Sequence, residues 1–352
     1  MSLKSKLRRL DYIRRSKMST LEVTFYRLFS NTRNLVKHKL AKDKVKHILL
    51  IRNNKRIGNI YFLLAFVRQT RAAYPDARID IMLNEPWQGH IFDNLGINHF
   101  YYSHFSFKGT FNFFNMMKEL RTITYDMILL PNTSSGDTII TAMLDGRNKV
   151  SSYHPKHNLI CKHSTYMEHR RDHAALGTLS VLEGLGHTLV EPLLHTLAFT
   201  QEELDKGRQV SQALRNNQKR LTMAYFRGAR GDKLLSEQTW LSILSKFEIA
   251  TNQQVQWIEI LCSDITHPVK AGVKTFKTSD LRHLAAVLKH VDAFICCDTG
   301  PLHLADAAGV SCIGLYSHTN PKSFGVIGDN TINIVDIDNL DAKVIGQKLN
   351  LF

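Results

Sequence analysis

Cysteine is scarce and unpatterned in this chain. Five stand at positions 161, 262, 296, 297 and 312, and no pair has C-x-x-C spacing. A zinc ribbon or a disulfide framework is therefore excluded as the organising principle. Long apolar runs are missing too: no stretch of about 18 apolar residues occurs, so no spanning helix is expected. Charges recur every few residues at the N-terminus, which leaves no apolar region of the signal-peptide kind. A reducing, cytoplasmic compartment is the expectation, with contact to the inner face of a membrane still open. Low-complexity tracts and short repeats are absent, and only 8 prolines and 19 glycines are present, which excludes fibrous and disordered classes. Acid is scarce at one end. Residues 1–46 hold 14 Lys and Arg against 3 acids, so most of the net charge of +15 belongs to that segment.

What the chain does have is length and hydrophobicity. Its 352 residues, 43% hydrophobic, suffice for two domains of ordinary size. Residues 1–44 read as basic and helical, with Leu3, Leu7 and Leu10 on one face and Leu21, Phe25, Leu28 and Phe29 on another. Such a helix can lie on anionic lipid or pack against the body of the protein. Nucleic acid is the weaker partner, since no nucleic-acid motif accompanies the charge.

From residue 45 strands and helices alternate. A strand at Lys46–Ile51 precedes the loop Arg52–Gly58, a helix at Ile60–Ala73 and a strand at Ala77–Leu83. Further strands are expected near Phe100 and at Met127–Leu130, with a helix from His173 to Leu185. A polar helix within 201–220 bridges to a second set: strands at Leu221–Phe226, Val255–Leu261 and Ala293–Cys297, helices at Glu237–Phe247 and Ser279–Lys289, a late strand at Ile332–Val335 and a tail helix at Leu340–Leu349. This order predicts two α/β domains with parallel sheets.

Ligands of such sheets bind beyond the carboxyl ends of the strands. Asp298-Thr299-Gly300-Pro301 follows the apolar run Ala293–Cys297 and opens the small-residue helix Leu302–Ala308. Unpaired N–H groups and the helix dipole make that mouth suited to phosphate. Thr299 offers a hydroxyl, Gly300 a bare backbone, and His303 faces the same mouth. Arg227-Gly228-Ala229-Arg230-Gly231-Asp232-Lys233 adds three cations after an earlier strand, as a diphosphate site would. Asp264, after Leu261, could hydrogen-bond a ribose or cap a helix.

The ordered string Asp298-Thr299-Gly300-Pro301, His303-Leu304-Ala305, Ala308-Gly309, Gly314-Leu315-Tyr316 and Thr319-Asn320-Pro321 resembles the C-terminal signature of glycosyltransferase family 9, the heptosyltransferases of lipopolysaccharide core assembly. The resemblance is weak over residues 45–260 and does not cover the first 44. It implies a GT-B fold, two Rossmann-like domains facing a central cleft. The basic extension is residues 1–44, the acceptor domain 45–200, the linker 201–220 and the nucleotide-sugar domain 221–335. Residues 336–352 would form a helix returning to the first domain.

By the same resemblance Lys233 contacts donor phosphates, with Trp240 at the matching downstream position. The donor is a nucleotide sugar such as ADP-heptose, and the acceptor is a lipopolysaccharide-core glycolipid. Arg52, Lys55, Arg56 and His173 are the acceptor-binding candidates. No cofactor and no metal are required, and the reaction inverts. Gly58-Asn59 stands where the family has Gly-Asp, whose acid serves as general base. An amide cannot take a proton at neutral pH. Either another carboxylate acts, with Asp137 the candidate, or the reaction proceeds with little base help, or the chain binds sugar nucleotide without transferring it. An adaptor for membranes or nucleic acid through residues 1–46 is the remaining alternative.

Two clusters complete the reading. Eight aromatics between Phe100 and Phe114 suit either core packing or a lipid-facing surface. The stretch from Lys162 to His173 is rich in His and Arg, but His169 and His173 without a further acid motif are a weak metal signal.

Overall fold

In a computed structural model, residues 23–24, 26, 28–103, 110–132, 134–152, 159–161, 163–165, 171–215, 219 and 221–352 are described. Two six-stranded, all-parallel sheets dominate. The first comprises β1 (His47–Ile51), β2 (Arg78–Leu83), β3 (His99–Tyr102), β4 (Thr124–Leu130), β5 (Asp145–Ser152) and β6 (His163–Thr165), in the order β3-β2-β1-β4-β5-β6. The second comprises β7 (Leu221–Phe226), β8 (Val255–Leu261), β9 (Lys274–Lys277), β10 (Ala293–Cys297), β11 (Cys312–Leu315) and β12 (Thr331–Ile334), in the order β12-β11-β10-β7-β8-β9. Each is a doubly wound sheet whose order reverses once, between β1 and β4 and between β7 and β10. At those two points the loops diverge and leave a crevice for ligand.

The central strands form because they are apolar on both faces. All five residues of β10 and all six of β7 are buried, with Ile295 in register with Ile313 and Tyr225. Helices are started by their caps. Thr200 and Glu203 form a reciprocal capping box for the helix Gln201–Leu214, and Ser236, Asp280 and Asp341 each accept from the first-turn amides of the helices that follow them. The region expected as one helix from Ile60 is two, Ile57–Tyr61 and Leu64–Ala73, with a turn at Phe62–Leu63.

β5 departs from the apolar rule. Its sequence is DGRNKVSS, yet Asn148, Lys149 and Ser151 are fully buried. Asn148 and Lys149 find partners in residues 31–41, which are extended and looped, not helical, while the Ser151 hydroxyl donates to the Ser152 carbonyl. Asn148 accepts from the Leu40 amide at 2.8 Å and donates to the His38 carbonyl at 3.1 Å, and the Lys149 ammonium donates to the Asn31 carbonyl at 2.8 Å. The Val36 amide donates to the Arg147 carbonyl. The expectation of a basic helix through residue 44 is thus corrected over 30–41, because β5 captures that backbone. Residues 1–22, with most of the expected amphipathic stripe, lie outside the described residues, as do His169 and the aromatics Phe105 and Phe107. Among the other aromatics, Tyr101 and Phe113 are core residues, while Phe114 is 61% exposed.

Two further expectations change. The tail helix, Ala342–Lys348, does not return to the first domain. Leu340, Ala342, Ile345 and Leu349 bury themselves with Trp240, Leu244 and Phe247 of the Glu237–Ala250 helix, inside the second domain's own core. The linker helix Gln201–Leu214 also belongs to the second domain. It packs on Leu281–Leu288 so closely that a Cβ on Gly207 would lie 2.4 Å from the Ala286 carbonyl oxygen.

The domains meet over a continuous apolar core that includes Ile60 and Tyr61 from one and Leu302 and Ala305 from the other. Fully burying one such aliphatic side chain stabilises by about 1.5–3 kcal/mol. Arg282 adds a polar tie, donating to the His90 carbonyl at 2.8 Å while paired with Glu203.

Candidate active site

The two switch points face each other. Asp298, at the end of β10, is the centre of the second domain's half. Its Oδ2 accepts from the Lys233 ammonium at 2.5 Å and from the Thr319 hydroxyl, and its Oδ1 lies 3.3 Å from His303 Nε2. Lys233 also donates to the Asp298 carbonyl at 3.1 Å. Burial alone would raise the pKa of Asp298, but the bonds from His303, Lys233 and Thr319 hold its carboxyl well below the usual carboxylate range. The loop after β7 is thereby fastened to the loop after β10, and a single half-exposed ammonium is fixed beside a helix mouth.

That helix, Gly300–Ala308, begins one residue after its N-cap, Thr299. The Thr299 side chain does not cap it. Its hydroxyl turns back to the Cys297 carbonyl at 3.3 Å. Within the first turn Pro301 carries no N–H and the Leu302 amide donates to the Thr299 carbonyl at 3.1 Å, so what this helix start offers beside Lys233 is the positive end of its dipole. Gly309 ends the helix at φ 75°, a left-handed conformation that favours glycine.

Gly300 has a different use from the one expected. A Cβ there would lie 2.8 Å from Cβ of Ile57, across the domain boundary. Reciprocally, a Cβ on Gly58 would lie 2.8 Å from Cδ2 of His303. The N-terminal turns of the Ile57–Tyr61 and Gly300–Ala308 helices therefore meet glycine to side chain in both directions. Phe62 continues the contact, with its ring 4.6 Å from that of His303 and 5.3 Å from that of His173. Asn59, half-buried, is carried on the same short helix as Gly58.

The first domain's half is a braced loop. Asp137 is fully buried at the start of the helix Ser135–Met143, 3.3 Å from Arg52 Nη1, and it accepts from the Asn53 amide at 2.7 Å. Asn53 donates to the Ser103 carbonyl and accepts from Asn84, and Gln88 donates to the Asn54 carbonyl. This network fixes the turn that presents Lys55 and Arg56, both exposed. Arg52 itself is buried, with its Nε unpaired among the described residues. Burial raises the pKa of Asp137, and the Arg52 guanidinium opposes that rise.

Several expected site residues are engaged elsewhere. Arg227 pairs with Glu259 at 2.6 Å and Glu237 at 3.1 Å and donates to the His267 carbonyl at 2.7 Å, so it builds the second domain and does not face a diphosphate. Glu259 was missed from sequence. An acid inside the apolar strand VQWIEIL was the available signal, since a buried charge demands a partner. His173 uses both ring nitrogens: Nδ1 accepts from the Ala175 amide at 3.2 Å, which leaves Nε2–H to donate to the Gly325 carbonyl at 2.9 Å. It is a strut between domains and not an open acceptor ligand. Arg230 and Asp264 are exposed, the latter bonded to the Ser263 hydroxyl at 3.1 Å. Among the described residues no group of three His, Cys, Asp or Glu side chains is placed to hold a metal ion.

Residues 272–349 match the family model of glycosyltransferase family 9 (heptosyltransferase). No curated protein sequence matches the chain. Among solved structures, a glycosyl transferase family 9 protein from Veillonella parvula DSM 2008 is similar at 16% identity and TM-score 0.70, over 89% of this chain and 91% of that one. The E. coli heptosyltransferase WaaC with ADP is similar at 15% identity and TM-score 0.67, over 86% and 99%. E. coli ADP-heptose LPS heptosyltransferase II is similar at 14% identity and TM-score 0.64, over 86% and 97%. The α/β GT-B architecture is shared across these structures, and the segment from residue 272 to residue 349 of this chain is similar to the glycosyltransferase family 9 (heptosyltransferase) domain.

Proposed function

We propose that the protein transfers a heptose from ADP-heptose to a lipopolysaccharide-core glycolipid, in the cytoplasm at the inner membrane face, without a metal and with inversion at the anomeric carbon. One observation supports this reading: Asp298 holds Lys233 beside the start of the Gly300–Ala308 helix, and that helix start packs against the short helix that carries Gly58 and Asn59. An ammonium beside the positive end of a helix dipole suits the diphosphate of the donor. It also stabilises the charge that grows on that diphosphate as it leaves. Solved structures of WaaC hold ADP and ADP-2-deoxy-2-fluoro heptose, which supports the choice of donor.

In the reaction the acceptor oxygen bonds to the anomeric carbon while the bond from that carbon to the distal phosphate oxygen breaks. ADP departs with the electron pair, and the acceptor proton passes to solvent. Lys55 and Arg56 attract an anionic acceptor. Asn59 orients its hydroxyl but cannot deprotonate it. Asp137 is enclosed and already bonded to Arg52 and Asn53, so it acts by holding the loop. General-base help is therefore weak, and its loss is worth about 10²–10⁴-fold in rate.

The test is calorimetric titration with ADP and ADP-heptose, followed by a transfer assay with wild type and Asn59→Asp. Donor binding with slow transfer that speeds up in Asn59→Asp supports the reading. Donor binding with neither transfer nor donor hydrolysis in both proteins favours a silent sugar-nucleotide-binding protein. No uptake of either compound refutes both.

A further inference from the structure

A second cavity lies far from the cleft. It has a volume of about 460 Å³ and is lined by Leu28, Phe29, Arg33, Arg121, Met143 and Asp145, with the Ser30–Asn31 turn. Asp145 opens β5, Arg121 precedes β4, and Met143 ends its helix. The cavity therefore sits at the amino ends of the strands, opposite the edge at which the cleft opens. It takes no part in the reaction proposed above.

Its chemistry is unfinished in three respects. Asp145 Oδ2 accepts from Asn34 at 2.6 Å and Thr124 at 2.9 Å, yet its Oδ1 is buried without a partner among the described residues. Among the described residues Ser30 Oγ is likewise buried and unpartnered. The exposed guanidinium groups of Arg33 and Arg121 make no hydrogen bond or ion pair among the described residues. An orphaned buried acceptor costs about 1–3 kcal/mol, so a ligand that donates to it is favoured. Around these polar groups the surface is apolar. Leu28 is 72% and Phe29 56% exposed. Phe114, 61% exposed, shares a helical face with Lys118 at i, i+4 in the helix Thr110–Leu120, and Arg121 follows that helix directly.

We infer that this cavity is a phospholipid headgroup site that seats the first domain on a bilayer. The phosphate lies between Arg33 and Arg121, a hydroxyl or ammonium of the headgroup donates to Asp145 Oδ1 and Ser30 Oγ, and Leu28 and Phe29 enter the acyl boundary. In sequence, residues 1–46 carry 14 cations against 3 acids, a charge that anionic lipid attracts. Phosphatidylcholine, whose quaternary ammonium has no N–H, cannot satisfy Asp145.

The experiment is co-sedimentation of the full chain with vesicles of phosphatidylethanolamine and phosphatidylglycerol, and with phosphatidylcholine vesicles. ADP calorimetry on the same samples reports the cleft independently and shows that each variant is folded. The expected result is binding to the first vesicles and weak binding to the second. Both R33E/R121E and L28S/F29S should weaken the former by about tenfold or more. Three results overturn the proposal. One is unchanged vesicle binding in both double variants, with binding lost only when Arg8, Arg9, Arg14 and Arg15 are replaced by glutamine. Another is equal affinity for both vesicle types. The third is no vesicle binding alongside R33E/R121E-sensitive binding of free glycerol phosphate or of a DNA duplex.

Discussion

Gly300 and Ile57 belong to different domains, yet a methyl group on Gly300 would overlap Cβ and Cγ2 of Ile57, each 2.8 Å away. Backbone is opposed to a β-branched side chain whose Cβ cannot rotate out of the way. Gly300→Ala is expected to force the helix starts apart and to cost about 1–3 kcal/mol as an overpacked contact. Urea unfolding should show a lowered midpoint, and small-angle scattering a larger radius of gyration. Gly58→Ala should cost less, because its obstacle is the end of the His303 ring, which can tilt. Equal stability of Gly300→Ala and wild type would show that the domains do not meet in this way.

Lys233 is expected to matter more for donor than for fold, because Asp298 keeps its bonds to Thr319 and His303 when the ammonium is lost. Its ammonium reaches Asp298 from an exposed loop, and replacing it by methionine keeps most of the apolar stem. Hydrogen bonds to charged groups contribute about 1.5–3 kcal/mol, so Lys233→Met should weaken ADP binding by about tenfold to a hundredfold. Calorimetry with ADP checks this, and a melting curve checks that the fold survives. Arg227→Met should behave in the opposite way: it strands the buried Glu259 carboxylate and lowers stability whether or not donor is present.

The contrast between these two cations shows where the sequence was readable. Strands β7, β8 and β10 were placed at their true ends because central parallel strands are unbroken apolar runs bounded by polar loops. β5 was invisible. Its buried Asn148 and Lys149 are satisfied by the backbone of residues 31–41, more than 100 positions away, and no local pattern encodes such a partner. β9 and β11 are only four residues each and carry too little periodicity. The Asp298 cluster was legible as a motif, and the structure puts the Lys233 ammonium against its carboxylate. What could not be read was which of several similar side chains faces inward. Arg227, His173 and Gly300 are all near the cleft, and each is committed to holding the protein together.

His173 gives the domain contact a pH dependence. Its Nδ1 accepts from the Ala175 amide and its Nε2–H donates to Gly325, so the ring is neutral in the folded state. Burial pushes its pKa below the ordinary value near 6.5, and the Gly325 bond only partly offsets this. With a lowered folded-state pKa, the unfolded chain takes up the proton first as pH falls. Stability is therefore unaffected above about pH 6.5 and declines from there toward the folded-state value. His173→Gln retains a donor for Gly325 and cannot protonate. Melting temperature followed from pH 8 to pH 5 should fall less in His173→Gln than in wild type, by about the share of one titrating group. Parallel curves would remove His173 as the titrating strut.

Asp137 separates a brace from a base. If it removed the acceptor proton, Asp137→Asn would lose rate at unchanged stability. The geometry predicts otherwise. Asp137 is fully buried and is the ionic partner of Arg52, whose Nε is already unpaired. Neutralising it leaves a buried guanidinium without its counter-charge, a change that costs about 3–5 kcal/mol when one partner of such a pair is removed. The Asn53 amide keeps an acceptor in the new side chain, so the turn is weakened and not abolished. Asp137→Asn should therefore show a large drop in the urea midpoint, with KM for acceptor raised by disorder of the loop carrying Lys55 and Arg56. The replacement of both partners, Arg52→Met with Asp137→Leu, should recover much of the stability, because no buried charge is then stranded. A base role predicts no recovery of rate in that double variant and no stability loss in Asp137→Asn. Unfolding curves on the two proteins decide between them.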